Sequence, residues 1–547
     1  MASRDDDHDE ALLSSQGAGY QVRYRGRPLY GGNEPVSGAE RRAAALSPES
    51  RTLYLLPSPL LGYGLNTLIA ALPEDSHVLA IEVDASLAAL SRQQLPESIT
   101  ASQALTLLFA PTDEETQSAV RKIGLKRFRR VRLVTLNGGY SLHADAYRAI
   151  LAYLQEEIQR QWQNTLTEVH LGRRWTRNLL RNLALLPESA DLPALRSDRP
   201  IVVAAAGPSL EESLPLLRRI RREVTLLAVD TAAAPLVAAG IPPDMVLSLD
   251  GQWANLQDFV PPLPAETALL TELSTHPTVA RNAAGGRWFF STAFAPLRLL
   301  ERLTARGLRP FALPPRGSVG ITAVEVALSL TPAPVFVAGL DLAFDSLRTH
   351  ARGSTVPRWH HRQSRRLDPL PAWRLAHRHG LLRRPDKNGR ATVTSAVLLS
   401  YARQLQEIVP ARAGDRVGGG RVYDIGPGGL DLGLPRLREE ELPPILSQSP
   451  GRAETGPEST ASWSARDIDL FLEAELALLH DSEEETARRL SGEARLGDPE
   501  FRELIEQVDY VWLHFPDPAS LEGHFLARLL PALREYRRLI EALRRRL

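Results

Sequence analysis

The 547-residue chain has no cysteine. Disulfides, thiolate zinc sites, iron–sulfur clusters and cysteine nucleophiles are therefore excluded, and nothing points to an oxidising compartment. Lysine is nearly absent as well: it occurs only at Lys122, Lys126 and Lys387, so arginine carries almost all the positive charge. A GC-rich genome accounts for that bias more simply than a function does. Lys+Arg and Asp+Glu both number 65, giving a formal net charge of zero, so no global field favours nucleic acid or an anionic membrane. No apolar run reaches the roughly eighteen residues of a membrane span. The first sixteen or so residues are acidic and polar, without the apolar core of a signal peptide. These absences lead to the expectation of a cytoplasmic protein with no nucleic-acid partner and no membrane insertion.

What is present is α/β patterning. At roughly 150 residues per domain, the length implies three or four domains. Residues 1–18 are expected to be a disordered tail. From Thr52 a strand, a Gly62-Tyr63-Gly64 turn and a helical pattern follow one another, with a second strand, His77 to Asp84, ending in acids. Further strands at Leu105–Phe109 and Arg130–Leu136 complete a Rossmann-like parallel sheet. This N-terminal domain, with its connecting helices, is placed at 19–190. A second doubly wound unit, 191–440, opens with the apolar strand Ile201 to Ala206. It continues through strands ending near Asp230 and Asp250 and a strand at Val335–Ala338. Residues 346–390, rich in Arg, His and Pro, are expected to form a long loop or lid, and 441–463 a linker. The last part, 464–547, has apolar residues at helical spacing, as in Ile468, Phe471, Leu472 and Leu479.

Ligands in such sheets bind beyond the carboxyl ends of the strands, and that is where the polar residues collect. Gly207-Pro208-Ser209 ends the first strand of the second unit. Glycine permits close backbone approach, proline pre-sets the first helical turn, and the serine hydroxyl with the free N–H groups can hold a phosphate. The same tripeptide also serves as a plain tight turn with a serine cap. Asp230 and Asp250 stand at the next two strand ends, where carboxylates meet ribose or a metal. Gly317-Ser318 opens another helix and forms a second candidate anion site, with Asp341 after the following strand. His350 is a candidate general base for a hydroxyl nucleophile, with His276 as its rival. In the N-terminal domain Gly62-Tyr63-Gly64 with Glu82 and Asp84 resembles a methyltransferase cofactor loop, but the glycine spacing is incomplete and a structural role is the simpler reading.

Together the central motifs resemble the Maf proteins, motility-associated factors proposed to glycosylate flagellin. They are also similar to the archaeal 6-hydroxymethylpterin diphosphokinase, which shares the domain. The shared pattern is Gly207-Pro208-Ser209-Leu210, Asp230, Gly240-Ile241 with Pro243-Asp244, and Asp250, then Arg316-Gly317-Ser318-Val319 and Gly339-Leu340-Asp341-Leu342. Leu340 stands where Maf proteins commonly carry a glutamine or similar residue.

The resemblance implies a sialyltransferase-like central domain that uses a CMP-activated nonulosonic acid as donor and a Ser or Thr hydroxyl of flagellin as acceptor. Gly207, Pro208 and Ser209 would hold the donor phosphate. Asp230 and Asp250 would hold ribose, base or sugar hydroxyls, with Asp250 also a catalytic candidate. Gly317, Ser318 and Asp341 would meet the sugar or a second anion, and His350 would deprotonate the acceptor. The alternative is a diphosphokinase needing ATP and Mg²⁺ on carboxylates such as Asp230, Asp250 or Asp341. A non-catalytic flagellar assembly factor is the third possibility.

Overall fold

The computed structural model describes residues 11–345, 348–367, 380–413, 422–447, 463–495, 498–515 and 521–547. Contacts divide the chain into two compact units, Met1–Thr167 and Glu168–Leu547. The division falls inside the helix Ala144–Leu183, rather than at residue 190.

The first unit contains two sheets. β1 (Leu12–Gln16), β2 (Gly19–Tyr24) and β3 (Arg27–Pro28) form an antiparallel three-stranded sheet. The expectation of a disordered tail to residue 18 is corrected over β1. The Gly17-Ala18 turn, with Gly17 at φ 59°, folds β1 back onto β2 in register. Residues 1–10 lie outside the described residues. β4 (Thr52–Pro57), β5 (His77–Glu82), β6 (Leu105–Phe109) and β7 (Arg130–Leu133) form the expected parallel sheet, in the order β6-β5-β4-β7. β4 and β5 are buried along their whole length, as a sheet covered on both faces requires.

The second unit is built on a nine-stranded parallel sheet. β8 (Ala190–Asp191), β9 (Ile201–Ala204), β10 (Thr225–Val229), β11 (Met245–Ser248), β12 (Ala268–Glu272), β13 (Arg287–Thr292) and β14 (Ala312–Leu313) precede β15 (Val335–Ala338). β16 (Leu381–Pro385) and β17 (Ala391–Ser395) form a separate antiparallel hairpin, and β18 (Val422–Asp424) returns to the large sheet. The order is β14-β13-β12-β11-β10-β9-β15-β18, with β8 beside β13. The chain winds outward from β9 to β14, then returns to lay β15 on the other side of β9. The topological switch point therefore lies between β9 and β15, and a ligand crevice is expected there.

Two sequence expectations for this unit change. Within 346–390 the structure forms the helix Thr355–Gln363 and the strand β16, which pairs with β17 just beyond it, instead of one long loop. The hairpin is secured where the Phe344 N–H donates to the Val393 carbonyl at 2.7 Å. Within the expected linker, Leu442–Ser447 is helical, and 448–462 lies outside the described residues. The C-terminal segment is helical as expected (Ala465–Leu490, Pro499–Gln507, Asp509–Trp512, Gly523–Arg544). It is not independent of the central unit, however. Its Phe471, Leu479, Phe525 and Tyr536 share one core with Leu180, Phe289 and Leu300, and Arg302 forms a two-point ion pair with the buried Glu475 at 2.6 and 2.9 Å. No helix among the described residues is long and apolar enough to cross a membrane.

Candidate functional site

At the carboxyl end of the large sheet, at the switch point, lies a cavity of about 650 Å³, a volume typical of small-ligand sites. Its wall contains Gly207 after β9, Asp230 after β10, Asp250 and Asp258 after β11, Ser318 at a helix start, Asp341 after β15, and His350. The strand ends thus bring together seven residues that lie far apart in the chain. Of the site residues expected from sequence, Pro208, Ser209 and Gly317 are outside this wall.

The Gly-Pro-Ser turn already has an anion, supplied by the chain. The Ser209 N–H donates to Asp341 Oδ2 at 2.8 Å, and the Ser209 hydroxyl donates to Asp341 Oδ1. A carboxylate therefore sits at the start of the helix Leu210–Ile220, where N–H groups and the helix dipole favour negative charge. Both Ser209 and Asp341 are buried, and burial pushes the Asp341 carboxyl above its ordinary range, against the two Ser209 bonds and the Lys387 charge. Glycine is required at 207 because a Cβ there would stand 2.5 Å from the Gly339 carbonyl and 2.6 Å from Asp341 Cγ. On the facing strand end Gly339 has φ 67° and Leu342 φ 46°. A non-glycine residue in that region is strained, and such strain clusters at functional sites.

The other helix start is open. Ser318 caps Val319–Leu330, a twelve-residue helix, yet its side chain makes no capping bond, and among the described residues its hydroxyl has no partner. The first N–H groups of a helix lack intrahelical acceptors, and Ser318, Val319 and Gly320 present this end to the cavity. The approach is fixed from behind. Arg316 clasps the buried Glu325 at 2.8 and 3.2 Å, while Tyr401 lies where a Gly317 side chain would go.

The acids differ in environment. Asp230, fully enclosed at the start of the helix Asp230–Ala238, has its pKa pushed up to about 7 by burial and then by the neighbouring Asp258 charge. The bond from the Thr231 N–H at 2.9 Å and that from the Ser248 hydroxyl at 3.2 Å oppose the rise. Asp258 is also raised, by burial, and its Oδ1 has no hydrogen-bond partner. Sequence reasoning missed this residue because it lies in the short 3₁₀ segment Trp253–Phe259 rather than at a strand end. Asp250 is only partly buried and accepts from the Gln252 N–H at 2.8 Å. His350 meets Thr349 Oγ1 through Nδ1 at 2.9 Å, and the next residue is held where the Ala351 N–H donates to the Ala206 carbonyl at 2.8 Å. The rival His276 is absent from this wall; it caps the helix Pro277–Arg281.

The strand order and the switch-point cavity are those of a doubly wound α/β protein. Residues 174–346 match the family described as 6-hydroxymethylpterin diphosphokinase MptE-like, so the chain carries an MptE-like domain at its centre. The whole chain shares the fold of the MAf glycosyltransferase from Magnetospirillum magneticum AMB-1, with a TM-score of 0.58 over 99% of this chain and 91% of that one, at 15% identity. A Treponema pallidum (strain Nichols) protein described as uncharacterized is 27% identical across 95% of this chain and 92% of its own length. A second from the same organism is 30% identical over 156 residues.

Proposed function

We propose that the chain is a glycosyltransferase that moves a nonulosonic, sialic-acid-like sugar from a CMP-activated donor to a Ser or Thr hydroxyl of flagellin. The observation behind this reading is the switch-point cavity, where an unbonded helix-cap hydroxyl, Ser318, stands in one wall with the strand-end acids Asp230 and Asp250. The donor's anionic group would lie at the Ser318–Gly320 helix start rather than at Ser209, whose donors are engaged by Asp341. Asp230, whose protonated form burial favours, would donate a hydrogen bond to a donor hydroxyl, and Asp250 would accept one. In the transfer step the bond from the anomeric carbon to the phosphate oxygen breaks, and its electron pair leaves with CMP. A bond forms from that carbon to the acceptor oxygen, and His350 takes the acceptor's proton.

The family description lends some support to a second reading, a pterin diphosphokinase using ATP and Mg²⁺. Its carboxylates would be Asp230, Asp250 and Asp341. The oxygens of Asp341 accept from Ser209, and among the described residues no three His, Cys, Asp or Glu side chains are grouped to hold one metal ion. The residues therefore fit this cofactor poorly. Calorimetric titration with CMP and with ATP, each with and without Mg²⁺, separates the readings. CMP binding weakened in Ser318→Ala and Asp250→Ala supports the glycosyltransferase. Mg²⁺-dependent ATP binding would replace it with the kinase, and binding of neither would favour a non-catalytic assembly factor.

A further inference from the structure

A second cleft, of about 620 Å³, shares Ala254 with the large cavity and has an opposite electrostatic character. One face of the helix Ala144–Leu183 lines it with Arg173, Arg174, Arg177 and Arg181, and across from them stand His276 and Trp253. These arginines recur at three- and four-residue spacing, which gathers them on one helical face. Arg173 and Arg177 share a single acid, Glu535. Among the described residues no acid pairs with Arg174 or Arg181. Arg181 is half-buried, and burial followed by the charges of Arg177, Arg281 and Arg546 pulls its pKa down. The same positive field, after burial, lowers His276. Trp253 is 68% exposed and meets the His276 ring edge-on at 5.3 Å. The floor is fixed: Asn178 donates to the Gly251 and Ser274 carbonyls, both at 3.0 Å.

A concentration of like charge around a half-buried guanidinium opposes folding unless a counter-charge is present. Here the described chain pairs one acid, Glu535, with two of the four arginines, and its charge only partly offsets the burial and repulsion that lower Arg181. Guanidinium forks match phosphate and carboxylate oxygens two at a time, and the exposed indole offers a flat face for a ring. The volume suits a small ligand rather than the broad, flat face of a protein partner. We propose that this cleft binds a small polyanion carrying at least two phosphate or carboxylate groups, held by Arg174, Arg177 and Arg181 beside Trp253. This site is independent of how the larger cavity is used.

The test uses the full-length chain with pyrophosphate and with citrate as probes, followed by calorimetry and thermal unfolding at constant ionic strength. Pyrophosphate binding without citrate binding assigns phosphate chemistry; binding of both assigns general polyanion recognition. Either affinity should fall at least tenfold in Arg174→Ala and Arg181→Gln, and stay within twofold in Ser318→Ala. Without ligand, Arg181→Gln should melt at or above the parent temperature, because it relieves repulsion, and it should lose the rise in melting temperature that the probe gives the parent. The exposed Arg174→Glu variant guards against misfolding. Binding of neither probe, equal affinity in the arginine variants, or loss only in Ser318→Ala would overturn the proposal. So would ligand-free destabilisation of Arg181→Gln with probe affinity intact, which would mark the arginine as structural.

Discussion

The two parallel sheets of this chain end in the same chemistry and use it in opposite ways. In the first unit β5 ends at Glu82 and is followed by Asp84. Glu82 accepts from the Ser58 hydroxyl, from the Tyr147 hydroxyl at 3.3 Å and from the Asp84 N–H at 2.9 Å. Asp84 meets His143 Nε2 at 2.9 Å and the Tyr24 hydroxyl at 3.0 Å. Burial tends to raise Asp84, but its bonds from His143, Leu87, Tyr24 and Ser86 outweigh that and hold its pKa low. Gly139 packs so close that a Cβ would fall 2.2 Å from Ser58 Oγ. This strand-end crevice is filled by side chains of its own unit. In the second unit Asp230 and Asp258 are raised, the Ser318 hydroxyl has no partner among the described residues, and a cavity remains. A strand-end acid becomes a ligand-site candidate only where the chain leaves its hydrogen-bonding capacity incomplete.

The largest expected effect comes from removing the anion that the chain supplies to itself. Asp341→Ala leaves the buried N–H and hydroxyl of Ser209 without acceptors, which costs about 3 kcal/mol. Urea denaturation should show the midpoint falling accordingly. If Gly207–Ser209 is a true anion cradle, millimolar phosphate should restore part of the loss in this variant and do little for the parent. A loss below about 1 kcal/mol would show that Asp341 and Ser209 are coupled only weakly, and the contrast between the two helix starts would fail.

How much of this was legible in the sequence follows from the physics of each element. β4, β5, β9, β10, β11 and β15 are apolar runs bounded by turn residues, and their period and length suffice to place them. β8 and β14 are two residues long and β1 is exposed along nearly its whole length, so none carries a buried apolar run. β16 and β17 sit in an Arg-rich stretch whose composition masks the pairing around the Asp386–Arg390 turn. At the site, Asp230, Asp250 and Ser318 were marked by strand and helix ends and His350 by its residue type, and the structure gathers them in one wall. Two features could not be read that way. Asp341 and Ser209 are 132 residues apart, and nothing local says that one satisfies the other. Asp258 is set by a 3₁₀ segment whose sequence carries no periodic signal.

An effect smaller over any single pH unit, and of opposite sign in the two units, is expected from pH. In the first unit His77 is buried against Thr106 Oγ1 at 2.8 Å, and burial lowers its pKa to about 4. Its contribution is present above the unfolded value near 6.5 and is lost as pH falls towards 4. Asp230 in the second unit is raised from 3.8 to about 7, so its contribution is present below 3.8 and lost as pH rises through 7. Each can change stability by up to about 1.4 kcal/mol per pH unit inside its window. Relative to the parent, Asp230→Asn should flatten the decline between pH 4 and 7, while His77→Gln should flatten the decline on acidification from 6.5 to 4. Both are read from denaturation midpoints at half-unit steps. Equal slopes for parent and Asp230→Asn would mean that the carboxyl is not held neutral in the fold.

The finest test compares two serines at corresponding places. Ser58 follows β4, has φ 52° and donates to the buried Glu82. Ser318 starts a helix and bonds to no described side chain. Ser58→Ala should therefore cost about 1–2 kcal/mol of stability, the price of an unmet buried carboxylate, and leave CMP affinity unchanged. Ser318→Ala should move stability by no more than about 0.5 kcal/mol, since no cap bond is lost, and weaken CMP binding about tenfold, the value of one charge-assisted hydrogen bond. Unfolding and calorimetry on the same two variants give four numbers. If both serines lowered stability alike and neither altered CMP binding, the open helix start would be an ordinary cap, and the donor site would have to be sought elsewhere along the cavity wall.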